Sequence, residues 1–194
     1  GALVAATFDD GRDTMVEGES GLQAVLEHQK IVYKWNRSLG QIELANGSRA
    51  DIYSSERPKQ LRGPQHHVAW GDEPAYWRDA PLGDAENTTW SNLKLGLRLG
   101  ENPQCVLTTT PLPNKLIKLL INEPNVVITT GSTYENLNNL SDKFRREVLQ
   151  RYEGTRLGRQ ELYAQILEDI EGALWSRAMI SYGDAPSASI GGVV

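Results

Sequence analysis

The sequence is 194 residues long, 39% hydrophobic and 23% charged, with a formal net charge of −5. That length suits one domain of ordinary size, and the acidic balance excludes a global basic field for meeting nucleic acid, leaving only a locally collected basic surface. A lone cysteine, Cys105, excludes an intrachain disulfide, and no stretch approaches the roughly 20 apolar residues that span a bilayer.

Ala2 to Thr7 is a short buried-strand candidate, and the polar run DDGRD (9–13) reads as the turn that closes it. Ser20 to Gln29 has helical periodicity, with Leu22, Val25 and Leu26 on one face and Ser20 and Gln23 spaced as a capping box. Gln41 to Leu44 and Arg49 to Tyr53 alternate, and Asn46-Gly47 between them supplies the positive φ of a hairpin turn. The proline-punctuated stretch 54–65 reads as a loop, and His67 to Gly71 as a strand. Trp90 to Leu99 is a helix with Leu93, Leu97 and Trp90 on one side, and Val106 to Thr109 a second strand of the same kind. Asn114 is placed to cap a helix carrying Leu116, Ile117 and Leu120, and Val126 to Thr130 reads as a further strand. The last third is helical. Ser141 caps a run with Phe144, Val148 and Tyr152 at helical spacing, loosened by Gly154 and Gly158; Leu162, Tyr163, Ile166, Leu167 and Ile170 stripe another helix that Gly172 ends.

Strands alternating with helices predict an α/β domain: a mostly parallel sheet with helices on both faces and its ligands at the carboxyl ends of the strands. Two strand ends carry chemistry there. His67 to Glu73 (HVAWGDE) is an apolar run that finishes on two adjacent acids, Asp72 and Glu73; CVLTTTP finishes on Thr108, Thr109 and Thr110. One carboxylate can hold Mg²⁺ while the next orients or deprotonates a water. Equally, Asp72 can cap a helix that starts with Glu73 and Pro74, and the threonines can be strand residues chosen for β-propensity. Arg62, just ahead of the acidic strand, is either a guanidinium aimed at phosphates or a surface arginine. The neighbours His66 and His67 would face opposite sides of a strand with no third ligand nearby. Arg145, Arg146, Arg151, Arg156 and Arg159 alternate with Glu147, Glu153 and Glu161, the pattern of a solvated mixed face. Cys105, inside an apolar run, is expected to be buried, and single-thiol usage with no visible signal peptide suits the cytoplasm.

The order LRGPQHHVAWGDEPAYW, LKLGLRLGENPQCVLTTTPLP, GSTYENLNNLSDKF, RYEGTRLGRQELYAQILEDIEGALW resembles the large terminase subunit of tailed bacteriophages and the related packaging proteins of gene transfer agents, over roughly residues 1–180. The resemblance implies a P-loop NTPase-like fold of the ASCE type, an ATPase that drives double-stranded DNA into a procapsid, and a nuclease in the other half of the parent. It implies Asp72 as the Walker B acid on Mg²⁺, Glu73 as catalytic base, Thr108, Thr109 and Thr110 as the element coupling ATP to DNA movement, and Arg62 as a finger acting on a neighbouring subunit. Implied partners are DNA, a portal protein, a small terminase subunit and further copies in a ring, with no membrane.

The departures from that family are specific. No G-x-x-x-x-G-K-[ST] loop occurs anywhere in the sequence, so the Walker A strand and loop of the family are missing ahead of Ala2, and the sheet is expected to lose an interior strand. The chain opens GALVAAT without Met and closes SASIGGVV, so both ends read as cut. Residues 1–172 are expected to form the partial ATPase domain, and 173–194 a linker or the start of a nuclease domain with Asp184 as its first acid. A helicase-like translocase fragment and an inactive prophage-remnant binding module are the alternatives.

Overall fold

The computed structural model describes residues 1–153 together with Thr155, Gly158, Arg159, Leu162 and Tyr163. The opening strand β1 (Ala2–Ala5) is buried along its whole length, because it lies in the interior of a six-stranded sheet. The remaining strands are β2 (Tyr33–Asn36), β3 (Gln41–Leu44), β4 (Arg49–Ser54), β5 (Val68–Asp72) and β6 (Gln104–Thr108), in the order β2-β3-β4-β1-β5-β6. Pairing is parallel from β4 through β1 and β5 to β6 and antiparallel from β2 through β3 to β4, so the sheet is mostly parallel as expected. The Asn46-Gly47 hairpin joins β3 to β4, with Gly47 at φ +82°. Strand β2 is unforeseen: it is only four residues long, with Tyr33 and Trp35 partly buried between exposed Lys34 and Asn36, and it completes the hairpin edge against β3 while Trp35 packs on the cluster of Leu3, Met15 and Ile52.

Helices cover both faces. On one face α1 (Phe8–Asp10) continues as a π-turn over Gly11–Val16, followed by α2 (Leu22–His28). This segment was expected to be a turn. Instead Thr7 and Asp10 form a capping box at the carboxyl end of β1, with the Asp10 N–H donating to Thr7 Oγ1 at 3.0 Å and Thr7 N–H to Asp10 Oδ2 at 3.1 Å, so the acids start a helix. Met15 and Val16 are thereby driven onto Leu3, Ala5 and Ile52. The cap expected from Ser20 is absent, since α2 starts from Gly21 with no side-chain bond. On the other face α3 (Thr89–Gly96), capped by Thr88, and α4 (Lys115–Ile121), capped by Asn114, bury Leu93, Leu116, Ile117 and Leu120 against Val4, Ala69 and Trp77. Leu97 falls just past α3, and the loop 54–65 contains a 3₁₀ turn, Pro58–Leu61, that buries Leu61 completely.

The segment Val126 to Thr130 does not form the expected strand. It pairs with none of the six strands, and Val127 is 91% exposed, so β-propensity alone does not make it a strand. Strand β6 is itself an edge, with Val106 61% exposed. Its inward-facing Cys105 is partly buried in an apolar setting that pushes the thiol pKa up to about 12, which leaves it unreactive. Further on, Ser141 caps α5 (Asp142–Phe144) as expected, and a π-turn Arg145–Leu149 leads into α6 (Gln150–Tyr152). Leu162 is buried while Tyr163 is exposed; Ile166, Leu167, Ile170, Gly172, Asp184 and the boundary after residue 172 lie outside the described residues.

His66, 3% exposed just before β5, packs edge-on against Tyr53 with ring centroids 5.5 Å apart, and its Nε2 has no hydrogen-bond partner. Burial, then the nearby Gly1 ammonium, hold its pKa below the ordinary histidine value, against a weaker pull from Asp51. The folded chain therefore binds this proton less readily than the unfolded one, and stability is full above the unfolded pKa near 6.5 and falls as pH drops through and below it. Denaturant midpoints measured from about pH 7.5 down to about pH 5 should decline, and His66→Leu should flatten that decline.

Candidate functional site at the carboxyl ends of β5 and β6

The parallel register sets Val68 beside Gln104, Trp70 beside Val106 and Asp72 beside Thr108. Both chemically rich strand ends therefore finish at the same level of the same sheet edge. Thr108 Oγ1 donates to Asp72 Oδ1 at 2.6 Å and accepts from the Trp70 indole N–H at 2.9 Å. The indole thus orients the hydroxyl so that its single proton faces the carboxylate. One residue on, the Glu73 N–H continues the ladder to the Thr108 carbonyl at 2.7 Å. The Glu73 carboxylate accepts from Thr109 Oγ1 at 3.3 Å and from the Thr110 N–H at 3.1 Å, both through Oε2. Asp72 and Glu73 are half-buried, so each keeps an oxygen toward solvent while the other is held.

Glu73 has φ +45° and ψ +52°, in the left-handed region that a non-glycine residue enters at a cost of order 1–3 kcal/mol. Several contacts impose it. Pro74 begins a 3₁₀ turn, Pro74–Tyr76, whose Pro74 and Ala75 are buried; the Ala75 N–H donates to Thr109 Oγ1 at 3.3 Å; the Tyr76 N–H returns to the Glu73 carbonyl at 2.8 Å. The chain then folds Trp77 back over β5, where its indole donates to the Asp72 carbonyl at 2.9 Å. Asp72 is therefore a strand residue and not a helix cap, and the first residue of the turn is Pro74.

The structure brings together Asp72, Glu73, Thr108, Thr109 and Thr110. It leaves Arg62 out of that cluster: the guanidinium is exposed beyond the 3₁₀ turn Pro58–Leu61 and donates to Asn87 Oδ1 at 3.2 Å, and among the described residues no hydrogen bond or ion pair joins it to Asp72 or Glu73. His67 is exposed while His66 is buried, and no group of three or more His, Cys, Asp or Glu stands ready for a metal among the described residues. Of the basic residues in the last third, Arg145 pairs with Asp142 at 3.6 Å and Arg151 lies over the Tyr152 ring. Arg156 lies outside the described residues. Trp70, Trp77 and Asn114 also belong to the site, and no sequence pattern marks them for it. Trp70 and Trp77 flank the acids in the sequence, but indole N–H targets depend on register and on a turn that no periodicity announces.

Two carboxylates on consecutive residues, each restrained by a neighbouring hydroxyl or amide and each partly open to water, can bind a hard cation through oxygen and accept a proton from a water molecule. The second carboxylate is held by hydrogen bonds to its side chain and its strained backbone, which fixes its direction in advance of any ligand.

Residues 2–182 match the family described as the terminase large subunit, T4likevirus-type, N-terminal. The fold is similar to that of the large terminase from a thermophilic bacteriophage, in a crystal form complexed with ADP, with a TM-score of 0.64 at 13% identity over 84% of this chain and 40% of that one. A second crystal form of that same phage protein gives 0.67 at 12% identity over 85% and 40%. The ATPase domain of the large terminase from a Thermus phage gives 0.53 at 15% identity over 86% of this chain and 76% of that one. The chain thus spans about 40% of the length of the relative complexed with ADP. No curated protein sequence matches it.

Gly71 is required by the close approach of Trp77. A Cβ at that position would stand 2.6 Å from Leu107 Cδ2 and 2.9 Å from Trp77 Cζ2, so Gly71→Ala should cost about 1–3 kcal/mol by overpacking. Thr108→Val, which removes the hydroxyl between Trp70 and Asp72 but keeps the strand shape, should cost about 0.5–1 kcal/mol. Chemical denaturation of each variant measures both.

Proposed function

The chain belongs to the T4-like large terminase family, matching its N-terminal part, and from that premise we propose that it is the central portion of a DNA-packaging ATPase that moves double-stranded DNA into a procapsid. The observation that carries this reading is the shared strand-end rim of Asp72, Glu73 and the three threonines. The ADP in the crystal of the thermophilic phage relative supports a nucleotide as the ligand of that rim. Family membership favours a packaging motor over a helicase-like translocase. Portal protein, small terminase subunit and further copies in a ring are the partners this reading entails.

Asp72 is the Walker B acid in this proposal. Its donor set fits Mg²⁺: one partly exposed carboxylate, with no all-protein cage among the described residues, suits a cation that keeps waters and shares phosphate oxygens. When bound, Mg²⁺ supplies neutralisation of phosphate charge. Glu73 takes the proton of the water that attacks the terminal phosphorus, and its fixed left-handed backbone together with Thr109 and the Thr110 N–H keeps one oxygen aimed outward. Thr108 holds Asp72 and, through its carbonyl, Glu73, so a change at either acid is felt along β6. The Arg62 guanidinium, exposed and bonded only to Asn87 among the described residues, is free to act on the nucleotide of a neighbouring subunit.

No phosphate loop of Walker A type lies within the 194 residues, so the isolated chain is expected to show no steady-state ATP turnover. Robust Mg²⁺-dependent turnover by this chain, abolished by Glu73→Gln, would falsify that expectation. In a polypeptide that joins this sequence to a phosphate loop and hydrolyses ATP, Glu73→Gln should lower kcat by roughly 10²–10⁴-fold, the usual worth of a general base. Arg62→Ala should matter only under conditions where subunits assemble. A Glu73→Gln enzyme with unchanged kcat removes Glu73 from the chemistry.

A further inference from the structure

Between β6 and α4 the chain runs past the acidic turn, and one side chain there makes two bonds of different kinds. Asn114 Oδ1 accepts from the Ile117 N–H at 3.0 Å and so caps α4. Its Nδ2 donates to the Ala75 carbonyl at 2.7 Å. Because one partner is a backbone donor and the other a backbone acceptor, the orientation of the carboxamide is determined by chemistry alone. Ala75 is two residues beyond Glu73, and its N–H is taken by Thr109 Oγ1 at 3.3 Å. Both backbone polar groups of Ala75 are therefore held by side chains of the segment that leaves β6. Ala75 is buried with Trp77, Leu116, Ile117 and Leu120 in one cluster, so α4 and the turn are packed together.

We infer that Asn114 is a positioning residue for the acid–base pair, clipping the first turn of α4 to the Ala75 carbonyl and so holding the left-handed Glu73 backbone in place. This rests on the reading of Glu73 as the base. The strain at Glu73 needs continuous restraint, because a residue followed by proline relaxes toward extended backbone when the turn is released. The Thr108 carbonyl restrains Glu73 from the strand side. Asn114 restrains the turn from the helix side, far along the sequence from Glu73, which makes α4 the element through which a displacement would reach the carboxylate.

Asn114→Asp tests the clip apart from the cap. Aspartate is as good a helix N-cap as asparagine but offers no donor to a carbonyl. In the 194-residue chain, amide exchange at Ala75 and Tyr76 should accelerate about tenfold, the equivalent of one hydrogen bond, while the Ile117 and Lys118 amides of α4 keep their rates. The side-chain carboxyl carbon resonance of Glu73 should shift in Asn114→Asp along with that acceleration. Unchanged exchange at Ala75 and Tyr76, or acceleration shared equally with α4, overturns the inference. In a polypeptide joined to a phosphate loop, Asn114→Asp should lower kcat about tenfold with KM within about twofold, the pattern of lost positioning and not of lost binding. If Glu73→Gln abolishes turnover but Asn114→Asp leaves kcat intact, the clip fails; if Glu73→Gln itself leaves kcat intact, it is the role of Glu73 that fails.

Discussion

Everything at the candidate site depends on one register: β5 and β6 run parallel with Asp72 opposite Thr108. In a parallel pair the side chains of opposed residues point to the same face, so the hydroxyl meets the carboxylate without any loop having to deliver it. A slip of one residue would turn Asp72 and Thr108 to opposite faces. What prevents the slip is the apolar alternation beneath them. Ala69, Gly71, Cys105 and Leu107 face the core that α3 and α4 cover, and Trp70 and Val106 face the other side.

The glycine within the acidic strand belongs to the same arrangement. Without a side chain at Gly71, the Trp77 ring lies directly on β5 and its indole reaches the Asp72 carbonyl. That places the turn Pro74–Tyr76 close over the sheet edge, where Thr109 and Asn114 can reach it. The strain at Glu73 is sustained because several bonds and a buried proline leave the chain no alternative path. A strained, over-determined carboxylate beside an unstrained one is a division of labour that suits a pair in which one acid binds and the other moves a proton.

Much of this was legible beforehand, for identifiable reasons. β1, β5 and β6 are short apolar runs that end in polar residues, and α4 begins at an asparagine three residues before a buried isoleucine; such local signals survive folding because caps and periodicity are local. Residues 8–16 read as a turn because acids next to glycine suit one, and only the Thr7–Asp10 reciprocity makes them a cap. Val126 to Thr130 carries strand composition, yet a strand requires a partner, and composition does not say whether one is at hand. The edge strand β2 is four residues long, too short for the alternation of Tyr33 and Trp35 to announce it before it pairs with β3.

From the residues in order, the acid pair, the hydroxyl triplet, the alternation of strands and helices and the absence of a phosphate loop could all be determined, since each is a property of a contiguous segment. The order of the strands, the left-handed backbone of Glu73, the roles of Trp70, Trp77 and Asn114, and the separation of Arg62 from the acids were decided only in three dimensions. Each of these depends on atoms brought together from segments some 5 to 40 residues apart by the burial of a shared core, and no local pattern encodes which donor will meet which acceptor across that distance.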